Sequence, residues 1–267
     1  MIPLRRPPAA ALSPETIAAL EARAQAVAAA GTSAVPEWKA FTRSPAYREL
    51  RDTLAAGAHH KCAYCESRAP KPQLDHVQPK LTHPELAFAW DNLLPACADC
   101  NSAKGTQGGH GPDGTPRLID PSAEDPGASL VWDTRGFVSP RDLPDDQAHA
   151  RAADTIAALD LIRQDLRDGQ RIARNEALYA LVEAEAAAAA LRAATPADRP
   201  AAEHALVKAR AALLTALDLA RPHRALLRQW LRAPLVAAKL AALSPDVPLL
   251  SALLDRWAAL DTMHPTR

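Results

Sequence analysis

The chain has 267 residues, 48% of them hydrophobic, which is enough for one large or two modest units with buried cores. Its 31 basic and 31 acidic residues balance, so the net charge of the chain does not attract nucleic acid. Any contact with nucleic acid must come from local basic patches. The sequence lacks a run of about 18 apolar residues that could span a bilayer, and its amino terminus does not resemble a secretory signal. We therefore expect a globular protein in the cytoplasm.

Residues 1–57 are predicted to form an N-terminal helical segment with two helices. Ser13 supplies an N-cap, followed by a first-turn proline, for a helix that ends at Gly31. Ser44 opens the second helix in the same way, and Gly57 ends it.

Four cysteines stand in two Cys-x-x-Cys pairs, Cys62 with Cys65 and Cys97 with Cys100, and 31 residues separate the pairs. Each pair offers two thiolates from one tight turn, which is typical of a closed structural zinc site with four sulfur ligands. The alternative, two disulfides in a secreted protein, is disfavoured because a secretory signal is missing. We expect residues 58–110 to form a core that Zn²⁺ holds together.

Between the cysteine pairs, a short extended stretch at 73–77 contains Asp75 and His76. A neutral imidazole can take a proton from water near pH 7, whereas carboxylate and amide oxygens suit a hard cation such as magnesium. Those groups are the parts of phosphodiester hydrolysis, although an isolated Asp-His dipeptide is more often an ordinary pair at a strand end. A short helix is predicted from Cys97 onward.

The rest of the chain is predicted to be a connector and a helical domain. Glycine, proline and aspartate dominate residues 111–148, apart from a hairpin at 130–138. Residues 149–267 are rich in alanine, leucine and arginine and predict four or five helices, with breaks at Pro196, Pro222, Pro234 and Pro245. The predicted fold class is α+β and mostly helical, with a small zinc-held core between an N-terminal helical segment and a C-terminal helical domain.

Several basic side chains are candidate nucleic-acid contacts. Lys80 and Lys104 lie within the cysteine segment, and residues 219–245 contain no acidic residue. Four arginines recur in that stretch at helical spacing: Arg221, Arg224, Arg228 and Arg232. They could bind the phosphates of nucleic acid, bind an acidic partner protein or simply form a solvated helix face. A second row, from Arg163 to Arg174, is interleaved with aspartates and is explained by solvated ion pairs within one helix.

The cysteine segment contains four pieces of sequence in this order: Cys62-x2-Cys65, Leu74-Asp75-His76-Val77-x-Pro79, Trp90-Asp91-Asn92-Leu93 and Cys97-x2-Cys100-Asn101-x2-Lys104-Gly105. Together they resemble the HNH endonuclease motif in its zinc-bound form. The resemblance implies a ββα-metal fold, in which a two-stranded ribbon is followed by a helix.

The resemblance also implies a role for four residues. His76 would be the general base, and Asp75 a direct ligand of a catalytic Mg²⁺ or Mn²⁺. Asn92 would brace the loop that orients the histidine, and Asn101 would be the second metal ligand, unless it serves only as a helix cap. With a histidine pKa of about 6.5, activity is expected to fall below that pH.

Outside the motif, the sequence contains the Met1-Ile-x-Leu-Arg-Arg-Pro start, Arg117-Leu118-Ile119-Asp120-Pro121, Gly136 and Thr155-Ile156 with Leu159 and Leu161. With these features, the wider plan is similar to the HNH nuclease subunit of Septu-type and related retron-associated anti-phage defence systems. That resemblance implies an ATPase partner, with residues 149–267 as a natural docking surface. DNA and RNA both remain open as substrates, as do a stand-alone restriction-type HNH enzyme and a zinc-ribbon module that binds nucleic acid without cutting it.

Overall fold

A computed structural model of the chain describes residues 1–31, 33–110, 116–247, 249–260 and 262. Within those residues, ten α-helices accompany two small antiparallel sheets of two strands each. The mostly helical α+β class is therefore confirmed. None of the helices in this described part combines the length and the apolar character needed to cross a bilayer.

The N-terminal segment has three helices: α1 (Pro14–Ala30), α2 (Val35–Phe41) and α3 (Pro45–Gly57). The Ser13 hydroxyl accepts a hydrogen bond from the Thr16 N–H at 3.2 Å, and Gly31 ends α1 in the left-handed conformation, as the sequence predicts. The Ser44 hydroxyl caps α3 in the same way, through the Tyr47 N–H. The short helix α2 was not predicted.

The cysteine segment contains a ribbon and a helix: β1 (Gln73–His76), β2 (Leu93–Ala96) and α4 (Ala98–Lys104). The antiparallel register pairs Leu74 with Pro95 and His76 with Leu93. Cys97 is the N-cap of α4, because its sulfur accepts a hydrogen bond from the Cys100 N–H. The order of strand, strand and helix is that of the expected ββα core.

A second hairpin and six helices complete the chain: β3 (Leu130–Trp132), β4 (Val138–Pro140), α5 (Asp146–Ala158), α6 (Gln164–Ala193), α7 (Arg199–Ala216), α8 (Ala225–Leu231), α9 (Pro234–Leu243) and α10 (Leu250–Ala259). The hairpin is confirmed. The described helices number six rather than four or five, because an additional break at residues 159–163 separates α5 from α6. Residues 111–115 of the predicted connector lie outside the described ranges.

Gly136 fixes the second hairpin against α6. Its φ of +87° belongs to the region that favours glycine, and a Cβ at this position would lie 2.3 Å from the carbonyl oxygen of Arg167. Any side chain here would therefore push the hairpin away from the helix.

The buried side chains form three clusters that do not follow the predicted domain limits, and those limits stay a prediction. One cluster joins α1–α3 to Leu74 and Leu93 of the ribbon. A second joins the cysteines of the two Cys-x-x-Cys pairs, together with Leu94 and Ala96 of the ribbon, to the second hairpin, α5 and the start of α6. The third lies among α6–α10. The ribbon consequently has a helical layer on one face and a mixed layer on the other.

Candidate active site

The sulfur atoms of all four cysteines converge to within 4.8 Å of one another. The Sγ atoms of Cys65 and Cys97 are 3.7 Å apart. A tetrahedral site with Zn–S bonds of about 2.3 Å requires sulfur atoms about 3.8 Å apart, so the cluster fits one zinc ion. All four thiols are free, and because they fill a tetrahedron by themselves, the site is closed and suited to a structural role.

The ribbon places Asp75 and His76 on opposite faces, because successive strand residues alternate. His76 shares its face with Leu74 and Leu93, which lie under the N-terminal helices. The carboxylate of Asp75 lies on the other face, near Tyr64. Both residues nevertheless line one cleft of about 400 Å³ at the edge of the ribbon.

His76 is held in one orientation and is only 4% exposed. Its Nε2 lies 3.0 Å from the carbonyl oxygen of Ala87, and its ring packs edge-on against Trp38 at a centroid distance of 4.3 Å. When Nε2–H donates to Ala87, the lone pair is on Nδ1. Burial lowers the pKa of His76 to about 3, and the positive charge of Lys80 acts in the same direction, so the imidazole is neutral at ordinary pH.

Asp75 is buried and already has protein partners. The Lys104 ammonium lies 3.2 Å from Oδ1 and 3.0 Å from Oδ2, and the Tyr64 hydroxyl donates to Oδ2. Burial raises the pKa of Asp75, although the charge of Lys104 opposes that rise. Lys104 also donates to the carbonyl oxygen of His76 at 2.6 Å. The prediction that Lys104 contacts phosphate is therefore wrong, because its ammonium is buried against Asp75 and His76.

The Asn92 side chain ties down the loop between the two strands of the ribbon. Its oxygen accepts from the Gln78 N–H at 2.7 Å, and its amide nitrogen donates to the carbonyl oxygens of Gln78 and Leu86, both at 3.0 Å. Leu86 precedes Ala87, whose carbonyl oxygen bonds His76. Asn92 is thus in a position to brace the histidine, and that role stays a prediction.

Asn101 lines the same cleft from α4, and its amide nitrogen donates to the Gln73 side chain. The alternative role as a helix cap is wrong, because Cys97 is the cap. A carboxylate has about four lone-pair positions, and the contacts from Tyr64 and Lys104 occupy three on Asp75. One position on Asp75 remains, and it and the amide oxygen of Asn101 are hard donors of the kind that divalent cations take.

Comparison with known proteins identifies the segment that carries this cleft. Residues 62–107 match the family model of the HNH endonuclease. They form an HNH endonuclease domain. The Septu protein PtuB of Bacillus thuringiensis is 38% identical to the chain over 81 residues, which are 29% of this chain and 30% of that protein. The chain therefore matches less than a third of the length of this curated relative.

Arg163, at the start of α6, contacts the cysteine cluster of the HNH domain. Its two terminal nitrogens lie 3.7 and 3.6 Å from the Cys100 sulfur, and one of them also donates to the carbonyl oxygens of Leu159 and Asp160. The interpretation of this arginine as one member of a solvated row is therefore wrong, although it does pair with Asp165 at 3.2 Å. Four thiolates around Zn²⁺ carry a net charge of −2, which the guanidinium offsets in part.

Replacing Arg163 with methionine is expected to weaken zinc binding by about 10- to 100-fold, the usual effect of losing a hydrogen-bond partner of a ligand. The rate of zinc transfer to a chromogenic chelator measures this effect. Arg171→Met is the matched control, because Arg171 lies on the same helix and its described ion pair is with Asp168. Equal transfer rates in the two variants would show that Arg163 does not hold the cluster.

The structure corrects the predicted row of phosphate-binding arginines: Arg221, Arg224, Arg228 and Arg232. The segment is not one long helix, and α8 turns two of these arginines inward, where they are 1% and 4% exposed. The guanidinium of Arg228 pairs with Asp125 at 2.6 and 2.8 Å, and that of Arg224 donates to the carbonyl oxygen of Ala216. Arg221 pairs with Glu176, and Arg232 is the exposed C-cap of α8. The four do not form a continuous basic face.

Sequence reasoning missed three residues that shape the site of the HNH domain. Trp38 packs against His76, Tyr64 donates to Asp75, and Arg163 contacts a cysteine. Tyr64 lies within the first cysteine pair, so its proximity could have been inferred. The other two come from helices distant in sequence, and no local pattern indicates their contacts.

Proposed function

We propose that the chain is a metal-dependent HNH endonuclease that hydrolyses phosphodiester bonds of nucleic acid. The observation that supports this most is the cleft that joins His76 and Asp75 within the matched segment 62–107. A neutral base beside hard oxygen donors is the chemistry that this reaction requires.

In this proposal, each residue has one task. His76 Nδ1 takes the proton of the attacking water, while the Nε2 hydrogen bond to Ala87 holds the ring and stabilises the imidazolium that forms. Asp75 and Asn101 hold Mg²⁺ or Mn²⁺, which when bound stabilises the negative charge on the phosphate and the leaving oxygen. Half-buried Lys80, on the same cleft, contacts the phosphate. Structural Zn²⁺ on the four cysteines holds the ribbon to α4.

Activity is expected to persist well below pH 6.5. The base acts in its deprotonated form, and its pKa in the folded protein is lowered to about 3, so acidification to pH 5 leaves His76 neutral. The initial expectation of a fall near pH 6.5 is thereby revised. Single-turnover rates measured from about pH 4 to about pH 9, with far-UV circular dichroism as the folding control, test this. A rate that halves near pH 6.5 at saturating Mg²⁺ would contradict the buried base, whereas recovery of the rate as Mg²⁺ is raised would assign the loss to protonation of Asp75, whose pKa burial raises.

We further propose a role in anti-phage defence with an ATPase as partner. The identity of 38% to the Septu protein PtuB supports the role, and the four free thiols suit a reducing cytoplasm. The C-terminal helical domain, 149–267, would be the docking surface. Ile172, Tyr179 and Val182 share one face of α6 and are 50%, 68% and 51% exposed, which suits a protein partner. Co-expression with the candidate ATPase should give a co-eluting complex, and separate elution would refute the partnership.

One observation favours a second candidate, a zinc-ribbon module that binds nucleic acid without cutting it. Both carboxylate oxygens of Asp75 are bonded to the protein, and the ammonium of Lys104 lies where it would repel a cation. A stand-alone restriction-type enzyme is the remaining alternative within the enzyme class, and it would cleave without any ATPase.

Digestion of plasmid DNA, single-stranded DNA and RNA tests these candidates together. The purified chain is incubated with Mg²⁺ or Mn²⁺, with and without the candidate ATPase. We expect cleavage that depends on the divalent cation. Binding without cleavage under every condition would refute the nuclease and support the zinc-ribbon module.

A further inference from the structure

The cleft that contains His76 has an apolar wall at its mouth. Val35, at the start of α2, and Leu81, on the loop after β1, both line the cleft and are 41% and 57% exposed. Single exposed apolar residues need no explanation, but two on one small cleft next to a candidate base indicate an apolar ligand surface.

Aromatic residues line the same cleft. Trp38 and Tyr47 have ring centroids 6.0 Å apart in an edge-to-face arrangement. Trp38 is fixed by Phe41 and Phe88, at centroid distances of 5.7 and 5.5 Å. This aromatic part of the lining is therefore packed before a ligand binds, which lowers the entropy lost on binding.

The cleft itself offers little positive charge. Among the described residues that line it, Lys80 is the one lysine or arginine. Binding to duplex DNA through its phosphates requires several cationic contacts. The polar lining instead includes the amide nitrogen of Gln73 and the hydroxyl of Thr106, which can bond the edge of a base.

We propose that this cleft binds an unpaired nucleobase against Val35 and Leu81, beside the phosphodiester on which His76 acts. The substrate is then single-stranded or locally unpaired nucleic acid. A base within a duplex is stacked on both faces and cannot reach the wall unless it leaves the stack. An unpaired base offers an apolar face and a polar edge, which match the two kinds of lining. This inference rests on the proposed nuclease function.

Cleavage of matched oligonucleotides tests the inference. The zinc-loaded full chain, with Mg²⁺, is given one labelled sequence as a single strand, as a perfect duplex and as a duplex with an unpaired internal loop. We expect the single strand and the loop to be cleaved about 10-fold faster than the duplex or more, in line with the stacking contribution of one base. The double variant Val35→Ala/Leu81→Ala should lose about 10-fold on the single strand. Leu235→Ala is the control, because Leu235 is 70% exposed on α9 and does not line the cleft.

The outcomes separate this inference from the nuclease itself. Equal cleavage of the single strand and the duplex, or equal rates for the double variant and the control, would overturn the inference and leave the nuclease intact. If none of the oligonucleotides is cleaved, with or without the candidate ATPase, the nuclease proposal fails, and fluorescence anisotropy with the same proteins decides the inference. Equal affinity for the single strand and the duplex would then refute base binding.

Discussion

Substitution of His76 by alanine is expected to abolish phosphodiester cleavage while zinc content and fold are retained. General bases contribute about 10²- to 10⁴-fold to the rate, and no other described imidazole lines the cleft. The side chain lies against Trp38 and away from the cysteine cluster, so its loss leaves the zinc site untouched. His76→Asn retains more of the volume and should be equally inactive.

Plasmid nicking measures the loss, and metal analysis and thermal unfolding confirm that the variants are folded. His83→Ala is a suitable control, because His83 lies on the loop of the same domain and pairs with Glu85 at 3.2 Å. Nicking by His76→Ala at the wild-type rate would remove the general base from the proposed mechanism.

Loss of zinc is expected to unfold the ribbon. Structural zinc sites in small domains contribute about 10–16 kcal/mol of apparent binding free energy. The cluster is also part of the second buried core, so its collapse would loosen the packing of α5. Cys65→Ser or Cys97→Ser should therefore bind no stable zinc, and the unfolding temperature should fall by about 10 °C or more.

Chelation can separate the two kinds of metal. A mild chelator should first remove the cation proposed at Asp75 and Asn101, so activity disappears while the circular dichroism spectrum is unchanged, and Mg²⁺ restores the activity. A strong zinc chelator such as 1,10-phenanthroline should then lower the unfolding temperature by about 10 °C or more, as the cysteine substitutions do. Simultaneous loss of activity and fold under mild chelation would contradict the assignment of two distinct sites.

Local signals account for the parts of the fold that the sequence predicts. The serine caps give the starts of α1 and α3, and the spacing of the cysteines gives the zinc-type cluster. The helix α2 has only part of this signal: Pro36 and Glu37 lie in its first turn, but its N-cap is Ala34, whose side chain cannot accept a hydrogen bond. It is stabilised by Trp38 and Phe41, which are buried among residues distant in sequence. The formation of α2 therefore depends more on tertiary packing than on local sequence signals.

The same distinction applies to the site. The motif places His76 at the end of β1 because strand and turn patterns are local. The environment of Asp75 depends on the approach of α4, which brings in Lys104, and the inward turn of Arg224 and Arg228 depends on acceptors up to 103 residues away. Helical spacing shows that arginines share a face but does not show whether that face meets solvent.

The ribbon has a consequence for how the HNH domain can evolve. Two-stranded antiparallel sheets often leave one face to water, but here Leu74 and Leu93 are covered by the N-terminal helices, and Leu94 and Ala96 by the second core. The segment 58–110 is therefore not expected to fold when it is transferred alone into another protein, because both apolar faces of its ribbon would then be exposed to solvent. Substitutions in the ribbon and in the two layers that cover it must therefore evolve together. A change in either layer must remain complementary to the strands that carry Asp75 and His76.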